Sequence, residues 1–215
     1  MRTFLAFSIL SLCLLASCSS DDTQNPDNGD NGPMLTLIPD SAFEQALIDA
    51  GIDNELNGSV LTNSLQNVTE LVFNDKNISD IQGLEDFPAL INLWLNDNAL
   101  TQLNISQNTN LKFVYAENNS LTALNTSGLN ALEKIGMNGN DIVNITISGN
   151  PNLQLLQLTD NNVQSLDVSN NLMLTQLNVI GNPLSCIQVN SDQLSNIPSN
   201  WQKDADDEYS ENCTS

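Results

Sequence analysis

Trp94, Phe113 and Tyr115 fall outside the apolar positions that build the core pattern, in a chain with only two Trp and two Tyr. Exposed aromatics favour contact with a partner; the alternative is a patch shielded by a neighbouring strand or the N-terminal cap. Around them Asn92, Asn96, Asp97 and Glu117 supply amides and carboxylates. Such a platform could hold a sugar by stacking and hydrogen bonding, or a basic protein by charge complementarity. Ordinary solvation of a polar rim is the plainer reading. Asp75 and Asp97 occupy the same place in consecutive units, so their carboxyls could approach the ~5 Å separation of a retaining glycosidase. Nothing supplies a cleft or an apolar wall to split their pKa values, and no enzyme is expected. The chain has no His, which closes Ser-His-Asp, Cys-His and His-zinc arrangements. Asp53-Asn-Glu55-Leu-Asn57-Gly58 opens like a calcium loop, but Ser64 stands where a bidentate Glu belongs. A cap turn is expected there, with no metal and no cofactor.

The elements that must position these residues come from a repeat. Starting points recur at Val68, Leu90, Leu111, Leu132, Leu153 and Leu174, a spacing of 22 and then 21. Each unit follows L-x-x-L-x-L-x-x-N-x-L-x-x-L with substitutions, as in Leu90-Ile-Asn-Leu93-Trp-Leu95-Asn-Asp-Asn98-Ala-Leu100-Thr-Gln-Leu103. The fourth and sixth positions alternate with outward ones at period two, which predicts a short strand with one face inward. Leu71/Phe73, Leu93/Leu95, Val114/Ala116, Ile135/Met137, Leu156/Leu158 and Leu177/Val179 form that inner column. One unit cannot bury its apolar edge alone; stacked units share it and pair their strands. The ninth position carries Asn98, Asn119, Asn140, Asn161 and Asn182. An amide there both donates and accepts, so it suits turn backbone groups that have left the sheet. Leu103–Ser106, Leu124–Ser127, Ile145–Ser148 and Leu166–Ser169 predict a second extended stretch on the convex side, and Ile81 to Pro88 a short helical turn.

This pattern resembles the leucine-rich repeat, with an internalin-like first unit. The resemblance implies an α/β solenoid of six repeats over residues 68–194, with a curved parallel sheet closed by a cap at each end. Residues 35–67 read as the N-terminal helical cap: Ser41-Ala-Phe-Glu44 fits a capping box, Phe43, Leu47 and Ala50 share a face, and Gly51 can end the helix. Residues 195–215 read as the C-terminal cap, similar to the terminal unit of Bacteroidetes leucine-rich repeat surface proteins.

Arg2 followed by the apolar stretch Phe4 to Ala16 reads as a signal peptide over residues 1–17, too short to span a bilayer. Leu15-Ala16-Ser17-Cys18 resembles the bacterial lipoprotein box, which implies lipid on Cys18. Ser19-Ser20-Asp21-Asp22 is similar to the export signal of Bacteroidetes surface lipoproteins. Residues 18–34 then form a lipidated flexible tether, too polar to build a core. An address outside the cytoplasm makes a disulfide the default for Cys186 and Cys213; a redox-active or metal-binding thiol pair is the alternative.

Five basic residues against 26 acidic ones give a formal charge of −21, so nucleic acid and anionic membranes would repel the body. Taken together, the resemblances imply a monomeric, outer-membrane, lipid-anchored module displayed at the cell surface. Its expected role is non-catalytic: adhesion to a protein through the concave face. Carbohydrate capture and a structural envelope role are the alternatives.

Overall fold

The computed structural model describes residues 32–213. The leader, Cys18 and most of the tether lie outside the described residues.

The chain opens with β1 (Leu35–Leu37), α1 (Ser41–Asp49), β2 (Ser59–Leu61), antiparallel to β1, and α2 (Thr62–Leu65). Asp40, not Ser41, caps α1: its Oδ1 accepts from the N–H groups of Ala42 and Phe43, at 2.8 and 2.9 Å. Its Oδ2 accepts from Ser79 and Asp80 N–H groups and from the Ser79 hydroxyl, which ties the cap to the first repeat. These bonds hold the Asp40 carboxyl below its ordinary pKa against the opposing effect of burial. The N-cap thus falls one residue before the expected one and the expected capping box does not form, since N3 is Phe43; Glu44 is free for another task. It is buried, and its Oε1 accepts from the N–H groups of Asn57, Gly58 and Ser59 at 2.9, 2.6 and 3.0 Å. The loop considered for calcium thus turns backbone donors inward onto a carboxylate, the opposite polarity to a cation cage. Ala50 is exposed at the end of α1, and Ala46 takes the buried place expected for it.

Six strands follow at the predicted spacing: β3 (Glu70–Val72), β4 (Asn92–Trp94), β5 (Phe113–Tyr115), β7 (Lys134–Gly136), β9 (Leu155–Gln157) and β11 (Gln176–Asn178). Each pairs in parallel with the next, so equivalent positions lie side by side: Leu71, Leu93, Val114, Ile135, Leu156 and Leu177 form one row. Every residue of the inner column is at most 4% exposed. A seventh strand, β13 (Trp201–Gln202), joins this concave sheet from the C-terminal cap.

On the convex side β6 (Ala123–Asn125) pairs with β8 (Asn144–Thr146). Separately, β10 (Leu166–Asp167), β12 (Cys186–Gln188) and β14 (Glu208–Ser210) make a second small sheet. Leu103–Ser106 forms no strand; the unit before it carries the 3-10 turn Leu84–Asp86, which offers no extended edge to pair with. The last cap holds α3 (Ser191–Ser195) and a disulfide between Cys186 and Cys213. It completes one more turn of the solenoid by lending a strand to each side.

The ninth-position amides bond alike from unit to unit. Asn140 Nδ2 donates to the Ala116 and Met137 carbonyls at 2.9 and 3.1 Å while its Oδ1 accepts from Leu121 N–H at 3.0 Å. Asn98, Asn119, Asn161 and Asn182 repeat this arrangement. A second buried set, Asn108, Asn150 and Asn171, holds the turns at the other end of the unit. No helix among the described residues is long and apolar enough to cross a membrane.

Candidate partner-binding face

With each repeat counted from Val68, Leu90 and their equivalents, positions three and five project from the concave sheet. Register sets Glu70, Asn92, Phe113, Lys134, Leu155 and Gln176 in one row. The other row is Val72, Trp94, Tyr115, Gly136, Gln157 and Asn178. The strands therefore bring Asn92, Trp94, Phe113 and Tyr115 together on β4 and β5, all partly exposed.

Trp94 and Tyr115 lie parallel, with centroids 6.1 Å apart and 5° between planes. Gly136 allows this: a Cβ there would collide with Cδ1 of Tyr115, so the missing side chain makes room for the ring. Burial, with a smaller contribution from the Glu117 carboxylate, pushes the Tyr115 phenol above its ordinary pKa. It stays a hydrogen-bond donor at neutral pH. Lys134 Nζ sits 5.2 Å from the centroid of Phe113, within cation–π range. Asn92 Nδ2 donates to Glu70 Oε2 at 3.1 Å, whereas Asn92 Oδ1 is buried and has no partner among the described residues. Sequence reasoning assigned no role to Lys134 or Gly136. A lone cation in the first row and a glycine beside Tyr115 in the second were the available signals.

Asn96, Asp97 and Glu117 belong instead to the rim where the strands end. Asn96 Oδ1 accepts from Glu117 N–H at 2.8 Å, Glu117 Oε1 from Asn138 Nδ2 at 2.8 Å, and Asp97 Oδ1 from Asn118 Nδ2 at 2.8 Å. Position eight is left-handed throughout, with φ of 54° at Asp75, 58° at Asp97, 54° at Asn118, 65° at Gly139, 55° at Asp160 and 77° at Gly181. Asp, Asn and Gly are the residues that tolerate this conformation. The carboxylates of Asp75 and Asp97 are thus exposed rim groups on turn residues. Among the described residues no three His, Cys, Asp or Glu side chains gather as they would around a metal.

Beyond β7 the concave face changes character. A hollow of about 310 Å³ lies over Leu156 and Leu177, walled by Gln157, Gln176, Asn178, Asn200 and Gln202. It is lined by amides and carries no charged side chain.

No protein-family model and no curated protein matches the chain. Solved structures do. The functional domain of InlJ from Listeria monocytogenes, described as including a cysteine ladder, is 25% identical with a TM-score of 0.64 over 73% of this chain. The chain spans 38% of that domain's length. Internalin C2 from Listeria monocytogenes is 23% identical with a TM-score of 0.53, covering 81% of this chain and 87% of its own. The ladder of this chain is built from asparagine, its repeats up to Gly181 containing no Cys. Parallel register, a fixed repeat and these likenesses converge on one architecture, an internalin-like leucine-rich repeat solenoid.

Proposed function

We propose that this chain is a non-catalytic recognition module, anchored through lipid on Cys18 and displayed at the surface of a Bacteroidetes-type outer membrane, which binds a protein on its concave face. The observation that carries the reading is the parallel Trp94–Tyr115 pair, set on adjacent strands and partly open to solvent. Large, rigid aromatics are the residues that dominate protein interfaces. Phe113 with Lys134 extends the platform. The rim carboxylates Asp97 and Glu117 favour a partner with basic groups, although their ties to neighbouring amides make them positioning residues first. Support for the anchor is the Leu15-Ala16-Ser17-Cys18 box followed by Ser19-Ser20-Asp21-Asp22.

The test uses residues 19–215 without lipid against a panel of matrix proteins and glycans, beside a Trp94→Ala/Tyr115→Ala version shown to be folded. Binding of a protein by the parent alone, weakening as salt rises, is the expected result. Glycan binding that is insensitive to salt would replace adhesion by carbohydrate capture. Equal behaviour of both versions would remove the concave face as the site.

A further inference from the structure

The antiparallel pair of β1 and β2 turns Thr36 and Val60 inward and leucines outward. In an antiparallel pair with one face on the core, apolar residues point in and polar ones out. Here Thr36 points inward at 3% exposure, where its hydroxyl bonds to Asp86 Oδ2 at 2.6 Å and to the Thr62 hydroxyl at 3.0 Å. Leu35, Leu37 and Leu61 point outward at 54%, 64% and 46% exposure. Register pairs Leu35 with Leu61, so these two share one face, and Leu37 lies two residues along on the same side. Met34, just before β1, is 76% exposed as well.

The chain's own tether cannot cover it. Residues 19–33 contain no Val, Leu, Ile, Met or aromatic side chain. A second copy is a poor fit as well, since a stable interface uses about 20–30 residues a side and ~800 Å² per partner, and this patch offers four side chains. The position of the patch points elsewhere. Met34 opens the folded body only sixteen residues after Cys18, so the chain itself limits how far this end can stand from the lipid. With Cys18 held in lipid, the leucines are the part of the body that the tether keeps nearest the bilayer.

We infer that Met34, Leu35, Leu37 and Leu61 seat the N-terminal cap on the bilayer surface. This inference rests on the proposed lipid anchor. Apolar side chains buried at the boundary between headgroups and acyl chains supply the second membrane contact, beside the covalent one. Seating on the cap stands the solenoid axis away from the membrane and leaves the concave face open to the side.

The full chain, made with its leader and carried into phosphatidylcholine vesicles, tests this with a benzophenone amino acid in place of Leu37 or, as control, of Leu172. Leu172 is 72% exposed but lies at the end of the fifth repeat, four strand spacings from the first, or roughly 19 Å at ~4.8 Å per strand. Illumination is expected to give phospholipid adducts at position 37 and none at 172, and Leu35→Ser/Leu61→Ser should remove them without lowering thermal stability. Protein–protein adducts at 37, no adducts, or equal adducts at both sites would overturn the seating. The intact mass of the same samples reports acylation of Cys18. Acylated protein without adducts at 37 rejects the seating alone, whereas an unmodified Cys18 rejects the anchor and the seating with it.

Discussion

The two halves of the concave sheet share one backbone and differ in everything that faces outward. From β4 to β7 the rows carry Trp94, Tyr115, Phe113 and Lys134; from β9 to β13 they carry Gln157, Gln176, Asn178 and Gln202 around a hollow. Beneath them the inner column is equally buried in both halves, and the ninth-position amides make the same bonds. The lesson is a division of labour. Inward residues fix the solenoid and repeat, while outward residues are free to vary, which suits the recognition proposed for them.

The largest effect is expected inside, and it should be the same in both halves. Leu93→Ala and Leu156→Ala should each cost about 2–5 kcal/mol in urea unfolding; a loss confined to one half would break the idea of a shared interior. Asn140→Ala leaves the buried Leu121 N–H without its acceptor and should cost about 1–3 kcal/mol. Gly136→Ala acts on the aromatic half alone. The added Cβ forces Tyr115 aside, costs about 1–3 kcal/mol and should abolish the near-ultraviolet circular dichroism of the Trp94–Tyr115 pair. An unchanged spectrum would mean that the pair does not depend on this glycine.

Alkaline pH separates the halves differently. The folded state holds the Tyr115 proton above the ordinary tyrosine pKa, so the stability linked to it is complete below that value and declines as pH rises through the raised one. Tyr115→Phe should flatten that decline in unfolding curves taken across the alkaline range, while Gln157→Ala should leave it unchanged. The smallest effect belongs to Gln176→Ala, within about 0.5 kcal/mol in stability. If it weakens a bound partner as much as Trp94→Ala does, the ligand spans both halves.

The repeat was legible because its information is redundant: six units state the same inner column and the same asparagine, and stacking has one solution for them. The N-terminal cap is stated once. Asp40 and Ser41 are both good capping residues, and only the folded loop at 57–59, which needs the Glu44 carboxylate, decides between them. The rim misled for a related reason. Asp75 and Asp97 read as a possible carboxylate pair when taken as charges, but with Asn118, Gly139, Asp160 and Gly181 they form a row of left-handed turns when taken as backbone. The rows containing Trp94 and Tyr115 followed from period two; their parallel stacking and the room given by Gly136 needed the register in three dimensions. The asparagines at 108, 150 and 171 escaped notice because Leu129 interrupts their series.

The amide ladder bears on how such a chain can change its length. Each ninth-position asparagine bonds only within its own unit and to the unit before it, so inserting or deleting a whole 21-residue module leaves the other joints intact. The 22-residue first unit keeps the same joint, its extra residue being absorbed outside the ladder, whereas a shift of half a unit would throw each later asparagine off its carbonyls. Length can therefore change in quantised steps, each added module arriving already fitted to its neighbours.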